Sequence, residues 1–327
     1  MKIAIDVMGG DYAPSSVLNG ILQLDSSFKD KVILVGDEVK IKDILGNKST
    51  SFEIIDTKEF IDMHESPTIS LRNKKQSSII ICNQLVKNGK ADAVISAGNT
   101  GTCMASSYLE LGVLPGIHRP VLASILPTNK NNVILLDVGA NVDTKSRHLF
   151  QFAIMGYVYA KYVLGKKEPK IGLLNIGEEP NKGNNLSILT YNLLKNSQLP
   201  FIGNIEGRDI LKGKVDIIVC DGFIGNIILK FTEGVVEVLS SLFKETISKG
   251  FLSKLGFLLL SKNLRNLKKK LDYSEYGGVP LLGVNGVSII SHGSSSPKAI
   301  KNAIMVAEKF VNYKINQHIT EEIKKYE

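Results

Sequence analysis

The chain has 327 residues, 43% hydrophobic and 22% charged, with a formal net charge of +8. That length and balance suit a large α/β core, as one domain or two, and exclude a disordered chain. The positive charge admits nucleic acid, anionic lipid or an acidic protein as partner. Nucleic acid is set aside, because no helix-turn-helix punctuation, zinc spacing or aromatic–basic platform is present.

The cysteines Cys82, Cys103 and Cys220 are far apart and odd in number, which fits a reducing cytoplasm rather than a disulfide framework. The opening MKIAIDVMGGD lacks the apolar core and cleavage site of a signal peptide. No run approaches the roughly 18 consecutive apolar residues of a membrane span.

In chain order, β-branched runs predict strands at 2–7, 31–35, 52–55, 91–96, 133–138, 171–176, 201–205, 215–220 and 286–291. Segments of helical length separate most of them. This alternation predicts an α/β fold, a mostly parallel three-layer sheet covered by helices, in one body spanning 1–327. Polar glycine turns follow the strands: MGGD with Gly9 and Gly10, SAGNTG, DVGAN, NIGEE, CDGFIGN and SHGSS. Each alone reads as an ordinary turn. Together they predict a site beyond the strand ends, where the loops of an open α/β sheet converge.

The turn Ser96-Ala97-Gly98-Asn99-Thr100-Gly101 carries the sharpest signal. A strand, a glycine turn and a helix start gather backbone N–H groups around an anion. Asn99 and Thr100 add side-chain donors. Arg119, Arg72, Lys74 and Lys75 are further candidate anion partners.

Residues 251–271 differ from the rest. Leu260, Leu264, Leu267 and Leu271 form a stripe at helical period, beside Lys254, Lys262, Arg265 and Lys268–Lys270. A basic amphipathic helix suits an anionic membrane surface or an acidic partner. Phe257, Leu258 and Leu260 are the expected lipid contacts, on a helical projection inserted at 237–272.

The chemistry is narrowed by absences. No GxSxG elbow, Walker loop or GxGxxG is present, and no metal-ligand spacing links the histidines, so neither cofactor nor metal is expected. Cys103 reads as a buried core thiol. Lys182 lies on a loop or helix start. Asp221 stands at a strand end and Asn226 early in the next helix, while His292 reads as a locally bonded turn residue.

Taken in order, IDVMGGDYAP, ADAVISAGNTGT, LLDVGANVD, GLLNIGEEPNKGN, IVCDGFIGNIILK and YGGVPLLGVNGVSIISHGSS resemble the successive motifs of the bacterial phosphate acyltransferases of phospholipid synthesis, the PlsX family. The resemblance implies a phosphotransacetylase- and isocitrate dehydrogenase-like fold. It implies acyl phosphate formation from inorganic phosphate and an acyl carrier protein thioester. It also implies a homodimer, peripheral association with the inner face of the cell membrane, and a membrane glycerol-phosphate acyltransferase as downstream partner. Carried over residue by residue, the family's catalytic pair falls on Lys182 and Asn226. Its substrate loops fall on Asp6, Gly9, Gly10, Ser96, Gly98–Gly101, Arg119, Asn175, Asp221, Gly222 and His292.

On this reading the 96–101 turn holds phosphate and Asn226 with backbone N–H groups receives the oxyanion. Lys182 neutralises phosphate or the departing thiolate, and Asp6 and Asp221 orient basic groups. The competing readings are a coenzyme A-linked phosphate acetyl- or butyryltransferase, a catalytically silent membrane scaffold, and a nucleotide- or NAD-dependent enzyme. The glycine loops weigh against the second, and the missing phosphate-binding fingerprints against the third.

Overall fold

The computed structural model describes residues 1–248 and 277–326. Its spine is an eleven-stranded sheet in the order β3-β2-β1-β4-β11-β10-β5-β6-β9-β7-β8. The strands are β1 (Ile3–Asp6), β2 (Val32–Gly36), β3 (Glu53–Asp56), β4 (Ala93–Ser96), β5 (Val121–Pro127), β6 (Asn132–Leu136), β7 (Ile171–Asn175), β8 (Phe201–Glu206), β9 (Ile217–Val219), β10 (Val279–Leu282) and β11 (Val287–Ile290). All nine predicted strands are present. The sequence reading missed β5 and β10.

Those two strands decide the topology. Strands β3, β2, β1, β4 and β11 run parallel to one another, as do β6, β9, β7 and β8. Between them β10 is antiparallel to β11 and to β5, and β5 is antiparallel to β6. Three reversals leave the two parallel halves pointing in opposite directions along the ladder. Strand β10 is the seam: Val279 and Pro280 pair with β11, while Leu281 and Leu282 pair with β5.

Side chains alternate across the sheet, so each strand feeds two cores. Ile3 and Ile5 of β1 join Leu18 of α1 (Ser15–Ile21), Phe152 and Tyr159 of α6 (Ser146–Tyr162) and Ile304 of α9 (Pro297–Asn312) on one face. Ala4 joins Ile33, Leu85 of α4 (Ser78–Lys87) and Leu111 of α5 (Thr100–Leu111) on the other. Both faces are covered, and this produces the predicted three layers. Helix α7 (Asn185–Lys195) packs against α6. Helix α8 runs from Gly222 to Ser248. The expected projection at 237–272 is described only as far as Ser248, and Phe257, Leu258 and Leu260 lie outside the described residues. No described helix is long and apolar enough to cross a membrane.

All three cysteines are buried and free. Burial pushes the Cys103 thiol up to about 12 and raises Cys82 and Cys220 well above the ordinary thiol value. Titration of the folded protein with a chromogenic disulfide reagent at pH 8 should therefore label none of the three rapidly, and unfolding in guanidinium should expose all of them. Fast labelling of Cys103 in the native state would contradict the packing around the 96–101 turn.

Candidate active site

The carboxyl ends of β1, β4 and β11 are neighbours, and their turns are tied together. Asp6, at the end of β1, is buried. Its Oδ2 accepts the Ser96 hydroxyl at 2.6 Å and its Oδ1 accepts the Met8 amide at 3.2 Å. Burial raises its pKa, opposed by the Ser78 and Ser96 hydroxyls and the Met8 and Gly9 amides. Ser96 Oγ in turn accepts the Gly98 amide at 3.0 Å. A Cβ on Gly9 would lie 2.5 Å from Asp6 Oδ2 and 2.8 Å from Gly98 N, so only glycine permits this approach. The Ser291 amide donates to Ser96 O and the Asp11 amide to Gly293 O, which draws the β11 turn onto the other two.

This network revises the expected roles. Asp6 touches hydroxyls and amides, not a basic group. Asn99 is spent on structure: Oδ1 caps α5 by accepting the Thr102 amide at 3.1 Å, and Nδ2 donates to Met63 O at 2.9 Å. The helix start leaves the first-turn amides of Thr100 and Gly101 without intrahelical acceptors. These are the donors the turn can offer an anion. His292 is exposed and paired with Ser294 at 2.8 Å, as a turn residue. Lys74, a candidate anion partner, is engaged within its own segment. It is bonded to Glu65, holding that carboxyl at about 2, and to Phe60 O.

A second group gathers at β6, β9 and β7. Asp137, fully buried, follows β6 and accepts four N–H groups: Leu122 N (3.2 Å) and Ala140 N (3.0 Å) on Oδ1, Asn141 N (2.6 Å) and Asn141 Nδ2 (2.9 Å) on Oδ2. Burial raises its pKa against those donors. Helix α8 seats directly on this turn. A Cβ on Gly225 would stand 1.8 Å from Asp137 O, and one on Gly222 2.6 Å from Asn141 O. The GFIG spacing thus reads as close approach of helix to turn. Asp221 caps α8 by accepting the Ile224 amide at 2.9 Å, a helix cap rather than an orienter of cations. Asn226 sits against Gly139, whose Cβ position is 3.5 Å from the Asn226 amide carbon.

On the adjoining strand β7, Asn175 holds its own loop. Oδ1 accepts the Ile176 amide at 2.8 Å and Nδ2 donates to Lys182 O at 2.9 Å. The stem of Lys182 lies over Gly177, 3.0 Å from where a Cβ would be. Asn184 caps α7 just beyond it. Among the described residues no ion pair engages Lys182, which is exposed, while neighbouring Glu178 is taken by Lys214 at 3.2 Å. Arg119 is exposed ahead of β5, tied in through Asn141 Nδ2, which donates to Pro120 O at 2.8 Å.

The six turns therefore form two trios rather than one ring of loops. One trio unites Asp6, Gly9, Gly10, Ser96, Gly98–Gly101 and the His292 turn. The other unites Asn226, Asp221 and Gly222 with the 137–141 turn, with Asn175 and Lys182 on the next strand. The hydrogen bonds named above run within each trio, and none of them links Lys182 to Asn226. Sequence reasoning quoted DVGAN but overlooked Asp137. An aspartate followed by a glycine turn at a strand end, repeated from IDVMGG, was the available signal.

A family model described as "Fatty acid synthesis protein" matches residues 1–318. A phosphate acyltransferase of Pelotomaculum thermopropionicum is 48% identical over 329 residues, covering 100% of this chain and 96% of that one. One from Desulfitobacterium hafniense is 49% identical, covering 100% and 98%. Among solved structures, a phosphotransacetylase from Streptococcus pyogenes superposes with a TM-score of 0.63 at 18% identity over 95% of this chain and 94% of its own, a likeness of fold. The chain belongs to the fatty acid synthesis protein family, the phosphate acyltransferases that its successive glycine motifs resemble.

Proposed function

We propose that this protein transfers an acyl group from the thioester of an acyl carrier protein to inorganic phosphate, releasing acyl phosphate and the carrier thiol. The observation that carries the reading is Lys182: an exposed ammonium without an ion pair among the described residues, held by Asn175 one strand away from Asn226. The chemistry asks for little else. A phosphate oxygen attacks the carbonyl carbon, a tetrahedral oxyanion forms, the C–S bond breaks, and the thiolate leaves and takes up a proton. No covalent enzyme intermediate is needed, in keeping with thiols that are all buried.

Rate then comes from positioning, worth up to about 7–11 kcal/mol, and from oxyanion donors, each worth about 3–4 kcal/mol. The first-turn amides of Thr100 and Gly101 hold phosphate, Asn226 receives the oxyanion, and Lys182 offsets the charge of phosphate or thiolate. Sheet twist supports a single cleft. From β1 to β9 there are six interstrand steps. At about 20–25° each they turn the sheet by roughly 120–150°. A twist of that size would swing the oppositely directed carboxyl edges toward the same side.

We further propose a homodimer, with 237–272 as a projection that meets an anionic membrane surface on the cytoplasmic side, where a glycerol-phosphate acyltransferase consumes the product. Helix α8 supports the dimer with a row of exposed apolar side chains at near-helical spacing, among them Ile227, Phe231 at 72% exposure, Val235 and Val238 at 58%. The lysine-rich stripe at 251–271 supports the surface contact.

The direct test is phosphate-dependent formation of acyl phosphate, with the same acyl group offered on carrier protein and on coenzyme A. Carrier protein should be the better donor; a preference for coenzyme A would select the acetyl- or butyryltransferase reading. Lys182→Ala and Asn226→Ala should each lower kcat/KM by about 10²–10³ with unchanged circular dichroism. Near-native turnover in either variant would remove that residue from the mechanism. In sedimentation analysis, Phe231→Asp combined with Val238→Asp should yield monomer at micromolar concentration; an unaltered dimer would move the interface elsewhere. Liposomes rich in anionic lipid should co-sediment with the wild type and lose a Leu258→Glu, Leu260→Glu variant. Retained binding would argue against insertion of that segment.

A further inference from the structure

The loop ahead of β5 and the start of α6 gather cations that lack a counter-charge. His118 and Arg119 are exposed on the loop, and Lys145 and half-buried His148 face them from the helix start. The two histidine rings are 6.1 Å apart between centroids. After burial, the charges of Arg119, His118 and Lys145 are what hold His148 below the usual histidine value. No carboxylate acts on it, and neither Arg119 nor Lys145 is in an ion pair among the described residues. Asp143, two residues before Lys145, is exposed.

The cluster is built rather than incidental. Gln151, 4% exposed, organises the loop: Oε1 accepts the His118 amide at 2.9 Å and Nε2 donates to Gly116 O at 2.7 Å. Because Oε1 is an acceptor, its 3.0 Å contact with His118 Nδ1 requires the proton on Nδ1, so the His118 ring is spent on holding the loop and its Nε2, in the neutral ring, is an acceptor. His148 Nδ1 accepts the Lys145 amide at 3.2 Å, so the neutral ring carries its proton on Nε2. That is a donor without a charge, matched to a site already crowded with cations. One residue before Lys145, the Thr144 hydroxyl is buried with no hydrogen-bond partner. The Asn141–Pro120 bond ties this loop to the turn that supports Asn226.

We propose that Arg119, Lys145 and His148, on the loop that His118 and Gln151 hold in place, form a second oxyanion site that takes a phosphate-type group. Donors from two chain segments, a guanidinium among them, match the anionic oxygens of a phosphate group. Two sources share that chemistry: the phosphodiester in the thioester-bearing arm of a carrier protein, and free phosphate. Naming the carrier arm rests on the function proposed above; the oxyanion site itself does not.

The experiment is calorimetric titration of the full-length protein with 4′-phosphopantetheine, pantetheine and inorganic phosphate, read beside the histidine ring resonances. The wild type should bind phosphopantetheine at least tenfold more tightly than pantetheine, and shift the His148 signals. Arg119→Gln with Lys145→Gln should abolish the preference, while Arg119→Lys with Lys145→Arg should keep most of it. Loss of the phosphopantetheine signal alone identifies the phosphate of the pantetheine arm as the ligand. Loss of an inorganic phosphate signal in the same variant identifies free phosphate. Equal binding of all three compounds, or binding indifferent to the substitutions, overturns the site. The titrations need no turnover. A wild type that binds phosphopantetheine but forms no acyl phosphate would refute the proposed reaction and leave the site standing.

Discussion

The reversal of strand direction at β10 and β5 governs everything else in this molecule. A parallel sheet presents its loops along one edge, and a chain with two parallel halves presents two such edges. Here the join is made by a four-residue strand whose first pair of residues ladders to β11 and whose second pair ladders to β5. Pro280 sits within it, opposite Ile289, at the centre of the sheet where a proline is uncommon. That seam fixes which strands are neighbours. Adjacent strands then decide which turns meet: β1 with β4 and β11 on one side, β6 with β9 and β7 on the other.

Each half solves the same local problem with the same residue type. A glycine turn at a strand end has amides to satisfy and no side chains of its own to do it. Asp6 and Asp137 are both buried at such ends, and both carry carboxyls pushed up by burial. An isolated buried carboxylate is costly, and several converging N–H or O–H donors offset that cost. The donors are the turns themselves: Met8 and Ser96 for Asp6, Ala140 and Asn141 for Asp137. Electrostatic need and loop geometry are therefore one constraint. Glycine at positions 9, 222 and 225 follows from it, since each lies where a Cβ would meet these groups at under 3 Å.

This also marks the boundary of what the sequence displays. Strands such as Val32–Gly36 and Ile217–Val219 were legible because β-branched runs buried on both faces carry their own signal. Strands β5 and β10 were not. Ala123 and Ser124 dilute the first, and Pro280 between glycines disguises the second, so local composition argues against strands that tertiary pairing enforces. The glycine turn at 96–101, the strand-end position of Asp221 and the loop position of Lys182 were visible as short patterns, whereas the cap that Asp221 makes on α8 was not. The division of six turns into two trios was not, because strand order is a property of pairs distant in sequence. For the same reason Asn99 looked like a ligand donor, whereas its partner Met63 lies 36 residues away.

The separation of the trios bears on how such a site can work. Phosphate and thioester are both reactive enough to need no activated side-chain nucleophile, so the protein's task is to bring them together and answer the charge that develops. On the proposed reading, two edges, each with its own buried aspartate and its own glycine turn, give the two substrates independent frameworks. The anion turn at 96–101 belongs to the first. Asn226 and Lys182 belong to the second; among the described residues no ion pair engages that lysine, and Glu178 is bound to Lys214. A lysine neutralised within its own loop would have little charge to lend a phosphate or a departing thiolate.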